Sequence, residues 1–445
     1  LLHMLFIVSL LCVYIHMSQY VYLYLIGYGI NYGDGMRLVL VALAISVVII
    51  AVGLIYYIPL LQKPVQSSPQ PVQNIQTSQQ VREGSEMKFI FGDIVVSAIL
   101  PSGAVTITGG GSTFVNVQMQ AWAQKFRSVT NGLVTVNYQS IGSGAGEAKW
   151  FDRSLDFGAS DVPISNATYS RLVAAKADFI QIPIVAGSVV IIYNLPGWDE
   201  NRCGSLRFSG DVIADIYLGK IIYWDDPRVR ELQLDACRSL LPHEPIRAIH
   251  RSDGSGTTAV FTLYLSDVSE EWRTRIGYGY TVEWPRDAIG YGEGGRGNEG
   301  VSAKVRGTAY SIGYVEYAYA IVNKLPTALL KNRDGNFVKP SPETVGEALK
   351  RGAKSLPPPN SYWGDVPKSF INREGPNTYP IVGMTYIFIY KDIAKNPDTA
   401  KALSAFLKWV LTEGQKPENI VEGYIPLPTE LVRIAITYVE QGLGG

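Results

Sequence analysis

Histidine is scarce in this chain: there are four in 445 residues, and only His243 and His250 lie beyond Gln62. That supply excludes a metal centre built from several imidazoles. Cysteine is scarcer still, with Cys12, Cys203 and Cys237 the only three. Cys12 follows Leu10-Leu11 rather than small residues, so the pattern of a lipid-modified bacterial anchor is missing. Cys203 and Cys237 stand away from histidine and from any third cysteine, which sets zinc aside. They either pair in an oxidising exterior or remain two buried thiols. Net charge is also lacking, because Lys plus Arg and Asp plus Glu both number 39. No basic tail or aromatic-basic interleaving is present, so nucleic acid is not the ligand. A neutral surface is compatible with a small anion captured by local dipoles.

One absence is local. Leu38–Leu61 contains no charged residue and is rich in Val, Ile, Leu and Ala. It is long enough to cross a hydrocarbon core of roughly 30 Å, which predicts a transmembrane signal anchor over residues 36–61, begun by Met36-Arg37. Residues 1–35 are a hydrophobic extension, either upstream of the true start or a second apolar segment. Residues 62–88 are rich in Gln, Ser and Pro and read as a flexible linker, with too little apolar surface to offset ordering entropy.

Beyond the linker the chain alternates strand-like and helix-like runs: Ala104–Thr108, Val117–Val129, Leu133–Gln139, Gly144–Phe151 and Leu155–Ala159. This is the rhythm of an α/β fold with a mostly parallel sheet. Two apolar strands with similar openings, after Pro183 and after Pro380, read as paired crossovers between two lobes. Lobe I is then 105–183 with 381–445, and lobe II is 184–380. The glycine-dense Gly290–Gly300 lacks the Lys-Ser/Thr ending of a P-loop and a strand feeding straight into it, and reads as a flexible crossing.

Three glycine- and hydroxyl-rich stretches, Gly109–Phe114, Ile141–Gly146 and Arg251–Thr258, each sit between a strand-like and a helix-like run. N–H groups in a helix's first turn lack intrahelical partners and carry partial positive charge, so each turn can cradle an oxyanion without metal or lysine. In the first, Thr113 offers a hydroxyl and an N–H, with helix capping by Ser112 or Thr113 the plainer role. In the second, Ser143 lies between Gly142 and Gly144, which allow close backbone approach. Asp161 ends the short strand Asp156-Phe-Gly-Ala-Ser-Asp161, where a solvated turn aspartate is the alternative. The third stretch is the richest. Arg251 can fork two oxygens, Asp253 can hold the guanidinium in place, and Ser255, Gly256 and Thr257 supply N–H and hydroxyl donors. His250 reads as a packing residue.

Gly109-Gly-Gly-Ser-Thr-Phe114, Asn137-Tyr-Gln-Ser-Ile-Gly-Ser-Gly144, Asp156–Asp161, His250-Arg-Ser-Asp-Gly-Ser-Gly-Thr257 and Ile312-Gly-Tyr-Val-Glu-Tyr-Ala-Tyr-Ala320 occur in that order. Together they resemble the phosphate-binding protein of phosphate ABC importers, from about residue 105 to about residue 430. The resemblance implies a two-lobed periplasmic-binding-protein fold with a two-strand hinge and no cofactor. It also implies that phosphate is held by Thr113, Phe114, Ser143, Asp161, Arg251, Asp253, Ser255, Gly256 and Thr257. Val115 departs from the family's usual proline, and the region of Cys203 and Cys237 does not align; neither change removes a ligand contact. The implied protein is not an enzyme. It is a receptor tethered to the cell membrane, with its soluble domain on the extracytoplasmic side, that delivers inorganic phosphate to ABC importer permease subunits. The alternatives are a cell-surface phosphatase, which would need metal ligands or an activated nucleophile, and a structural or adhesive protein on the same fold.

Overall fold

The computed structural model describes residues 84–352 and 354–443. The expected anchor at 36–61, the extension at 1–35 and the linker up to residue 83 lie outside the described residues. Among the described residues, no helix is long and apolar enough to cross a membrane.

The end of the expected linker is ordered chain, which corrects its boundary at residue 88. Glu86–Phe91 (β1) pairs antiparallel with Ile94–Ile99 (β2) through a tight turn in which Gly92 takes φ 61°. The physical reason is period-two alternation: Met87, Phe89, Ile94, Val96 and Ala98 turn inward, while Glu86, Lys88 and Val95 face water. Lys408 fastens the hairpin to the body by donating from Nζ to the Ser97 carbonyl at 2.9 Å.

The body is built on an eight-stranded curled sheet. Its strands are Val105–Gly111 (β3), Val134–Ser140 (β4), Phe157–Ser160 (β5), Phe179–Asn194 (β6), Arg247–Arg251 (β8), Gly292–Gly295 (β9), Ser311–Glu316 (β10) and Val382–Tyr390 (β13). Arg207–Phe208 (β7), Leu329–Lys331 (β11) and Phe337–Val338 (β12) form a separate three-stranded sheet. The main order is β4-β3-β5-β13-β6-β10-β8-β9, parallel at both ends and antiparallel through the middle three pairings. β6 joins the two halves, because Phe179–Ser188 runs beside β13 and Val189–Asn194 beside β10. Its sequence is a nearly unbroken apolar run, as a strand covered on both faces requires, and all but its last residue are buried.

Five helices matter for the site and its support: Asn116–Val129 (α1) after β3, Ser143–Phe151 (α2) after β4, Gly256–Val268 (α3) after β8, Gly297–Gly307 (α4) after β9, and Pro397–Leu411 (α5) after β13. The helix and strand runs read from the sequence between residues 104 and 159 match α1, α2 and β3 to β5 within a few residues. Gly290–Gly300 does not behave as a flexible crossing. Gly292–Gly295 pairs parallel with β8 and leads straight into α4. Side chains would prevent this packing: a Cβ on Gly295 would lie 2.7 Å from the Val301 nitrogen, and one on Gly292 would lie 1.9 Å from Asp287 Oδ1. Cys203 and Cys237 form a disulfide with Cα atoms 5.9 Å apart. His250 stacks on Trp284 and bonds to Asp287 Oδ1 through Nε2 at 2.9 Å, which makes it a packing residue.

Candidate functional site

Four strand ends deliver the chemistry to one place. β3 runs out into Ser112-Thr113-Phe114, β4 into Gly142 and Ser143, β5 into Asp161, and β8 ends on Arg251 before Asp253, Ser255, Gly256 and Thr257. In open α/β sheets such carboxyl ends, facing helix N-termini, are where ligands gather. Thr113, Phe114, Ser143, Asp161, Arg251, Ser255, Gly256 and Thr257 are all buried, and Asp253 is partly so.

Contacts across the sheet show that the two groups meet. A Cβ placed on Gly256 would lie 2.5 Å from Ser143 Oγ and 2.6 Å from Asp161 Oδ2. A Cβ on Gly142, whose φ is 90°, would lie 2.5 Å from Asp253 Oδ2, and the Gly144 N–H donates to the Gly254 carbonyl at 3.0 Å. Glycine is required at both positions for the backbones to come this close. Tyr280 adds a further link, donating from its hydroxyl to Glu147 Oε2 at 2.6 Å and lying 2.9 Å from Ser160 Oγ.

Donors dominate the enclosed space. Thr113 and Phe114 N–H groups find no hydrogen-bond acceptor among the described residues. Neither Thr113 nor Ser143 caps its helix: α1 and α2 begin after Val115 and Gly142, with no side-chain cap. Ser255 does cap α3, accepting from the Thr258 N–H at 3.0 Å, which leaves its hydroxyl proton for another partner. Arg251 is gripped by Asp253 through Nε to Oδ1 at 2.8 Å and Nη2 to Oδ2 at 2.6 Å. Burial pushes Asp253 up, but the Arg251 hydrogen bonds and charge prevail and hold its carboxyl below the usual range.

Asp161 is a buried acid facing these donors with no salt-bridge partner among the described residues. Its Oδ1 accepts from Ser112 Oγ at 2.5 Å and from Thr385 Oγ1 at 3.0 Å, whereas Oδ2 has only a long contact of 3.4 Å with Ser143 Oγ. Burial raises its pKa to about 6, against the pull of those hydroxyls and of the Arg251 charge. A solvated turn aspartate would behave otherwise, so that alternative fails.

Sequence reasoning missed Ser112 as a partner of Asp161, and it missed Thr385, Glu147, Tyr280 and Asn298. Ser112 was visible only as a possible cap. Thr385 sits in an apolar strand, at an irregularity in the pairing of β13 with β6, and carries no local signal. Asn298 lay in the stretch read as a flexible crossing. It is fully buried, and its Nδ2 donates to Thr113 Oγ1 at 2.8 Å and to Thr257 Oγ1 at 3.1 Å. Beside the site a pocket of about 180 Å³ is lined by Thr113, Ser140, Asp253, Arg296 and Glu299, among others.

Residues 96–413 match the model of a periplasmic-binding-protein (PBP) superfamily domain. The chain is 40% identical over 340 residues to the phosphate-binding protein PstS of Methanocaldococcus jannaschii, covering 75% of this chain and 86% of that one. It is 39% identical over 337 residues to the protein of the same name from Pasteurella multocida, covering 75% and 90%. Among solved structures, an ancestral soluble variant of the human phosphate binding protein aligns with TM-score 0.58 at 18% identity, over 77% of this chain and 99% of that one. A phosphate binding protein from Stenotrophomonas maltophilia aligns with TM-score 0.53 at 18% identity, over 75% and 94%. At such identities the structures speak for the fold alone.

Proposed function

This chain belongs to the phosphate-binding proteins of phosphate ABC importers, within the periplasmic-binding-protein superfamily, and on that premise we propose how its residues hold the ligand. The protein is a receptor that binds inorganic phosphate for an ABC importer and makes or breaks no bond. Phosphate sits between the lobes against Thr113 and Phe114, Ser143, Arg251, Ser255, Gly256 and Thr257, with Asp253 steering the guanidinium. The N–H groups and hydroxyls give partial positive charge from several directions, and Arg251 supplies the full charge.

Asp161 sets the selectivity. Phosphate near neutral pH keeps a proton that sulfate of the same shape has lost, so an ionised carboxylate accepts a hydrogen bond from the first and repels the second. Leaving a buried charged acceptor unpaired costs more than about 1–3 kcal/mol. Oδ2, the oxygen with only one long contact, is the acceptor in this reading. The observation that carries it is the burial of one unpaired carboxylate among donors from both halves of the sheet.

The lobes are 105–183 with 381–445, and 184–380, joined where β6 and the entry to β13 cross between the halves of the sheet. Opening about these two crossings admits the ion, and closing removes water from it. Residues 36–61 anchor the receptor in the cell membrane, with the linker reaching the permease on the extracytoplasmic side. Equilibrium dialysis with radiolabelled phosphate tests the function. About one equivalent retained per chain in excess sulfate supports it, and no retention overturns it.

A further inference from the structure

We propose that Asn298 is a positioning residue that fixes the Thr113 and Thr257 hydroxyls as hydrogen-bond donors to the ligand and so directs the ligand's proton to Asp161. This rests on the phosphate reading above.

A hydroxyl has one proton to give and two lone pairs to receive. Thr113 Oγ1 receives from the Asn298 backbone N–H at 3.2 Å and from Asn298 Nδ2 at 2.8 Å. Thr257 Oγ1 receives from the same Nδ2 at 3.1 Å and from Arg251 Nη1 at 3.4 Å. All four partners are obligate donors. Both lone pairs of each hydroxyl are therefore used, and each proton points to a third partner.

The amide cannot be turned round. Asn298 Oδ1 accepts from the Glu316 N–H at 3.0 Å, so a flipped side chain would set NH₂ against an N–H. Asn298 belongs to α4 in the second lobe, as Thr257 does to α3, while Thr113 follows β3 in the first. One NH₂ group thus spends a proton on each lobe, and the bridge is complete only when the lobes are together.

The consequence concerns the ligand's protonation. Ligand oxygens beside Thr113 and Thr257 meet donors and must be unprotonated. The single ligand proton is left to face the carboxylate of Asp161. Without Asn298 either threonine hydroxyl is free to rotate and accept, so a second ligand proton gains a place.

The test compares phosphate binding by the parent chain and by Asn298→Ala from mildly acidic to mildly alkaline pH, with melting of the ligand-free proteins alongside. Asn298→Ser, which keeps a polar group in the site, repeats the comparison with less disruption. Affinity should fall about tenfold, the loss expected for hydrogen bonds to a charged partner. The preference for the singly protonated over the doubly protonated ion should narrow as well, giving a flatter pH profile. In a Thr113→Val, Thr257→Val background the Asn298 substitution should cause little further loss. Arg251, Asp253, Asp161, Glu299, Glu316 and Tyr319 surround the bridge in parent and variants alike, so the readout is the difference between the two pH profiles. An unchanged profile, or an equal loss without the two hydroxyls, overturns the inference and leaves the phosphate reading standing. A parent chain that binds no phosphate overturns both.

Discussion

Arg251 and Asp253 meet through two parallel hydrogen bonds, Nε to Oδ1 at 2.8 Å and Nη2 to Oδ2 at 2.6 Å. The acid thereby occupies one edge of the guanidinium fork and turns Nη1 toward Thr257 and the site. Asp253 is itself fixed, since Oδ1 also accepts from the Gly297 N–H at 3.0 Å. The pair acts as an aimed cation.

Arg251→Ala should therefore weaken phosphate binding by about 2–5 kcal/mol, the range seen when one partner of a buried charge pair is truncated. Arg251→Lys should recover little, because a point charge cannot hold both Asp253 oxygens and still face the ligand. Calorimetric titration checks this, and a loss below about 1 kcal/mol would put Arg251 on a solvated rim.

Asp161 links function to stability. Its pKa of about 6 in the folded chain lies above the ordinary 3.8, so folding takes up a proton between those values. The contribution is fully favourable below pH 3.8 and is lost as pH rises through about 6, a change of roughly 3 kcal/mol. Asp161→Asn should accordingly melt higher than the parent above that window when ligand-free, with the advantage vanishing toward the acid end. The same variant should lose discrimination against sulfate. Melting curves over pH and sulfate competition read the two effects separately.

Gly256→Ala should block the approach of the lobes, because its Cβ would fall 2.5 Å from Ser143 Oγ and 2.6 Å from Asp161 Oδ2. Its φ is not positive, so the backbone accepts alanine and the helix survives. Phosphate affinity should drop about a hundredfold, as loss of more than one charge-assisted hydrogen bond would give. The ligand-free melting temperature should change far less. A variant that binds like the parent would mean that Gly256 is not at the closing surface.

The disulfide should matter to stability and not to the ligand. Cys203 and Cys237 are 34 residues apart, and closing such a loop is worth about 3–4 kcal/mol. Replacing both with serine should lower denaturant resistance by that order while phosphate affinity stays within about twofold, a difference under 1 kcal/mol. Denaturation and titration of one preparation decide it.

Much of the candidate site was legible because its residues announce themselves locally. Gly142-Ser143-Gly144 and Arg251–Thr257 set glycine and hydroxyl donors at strand-to-helix turns, and that chemistry is written in neighbouring letters. Cys203 and Cys237 were visible as candidates for pairing in an oxidising exterior, with two buried thiols as the alternative. The support was not legible. Thr385 lies more than two hundred positions from Asp161 and reads as one polar letter in an apolar strand, so only the antiparallel β13–β5 pairing, which sets Tyr386 opposite Ser160, reveals it. Asn298 was hidden by its glycines, whose spacing suggests mobility while their missing side chains permit a tight strand and helix. The β1–β2 hairpin was hidden by its place at the end of a polar linker, although Met87, Phe89, Val96 and Ala98 carry an alternating pattern.

The central claim is that phosphate lies between β3, β4 and β5 on one side and β8 with α3 on the other, donating its proton in a hydrogen bond to Asp161. A crystal structure of the chain grown with phosphate tests it most directly. The account predicts one ion with an oxygen within about 2.5–3.2 Å of Asp161 Oδ2 and others within that distance of Thr113, Ser143, Arg251, Ser255 and Thr257. Phosphate bound elsewhere, or bound there with no oxygen near Asp161, would contradict it.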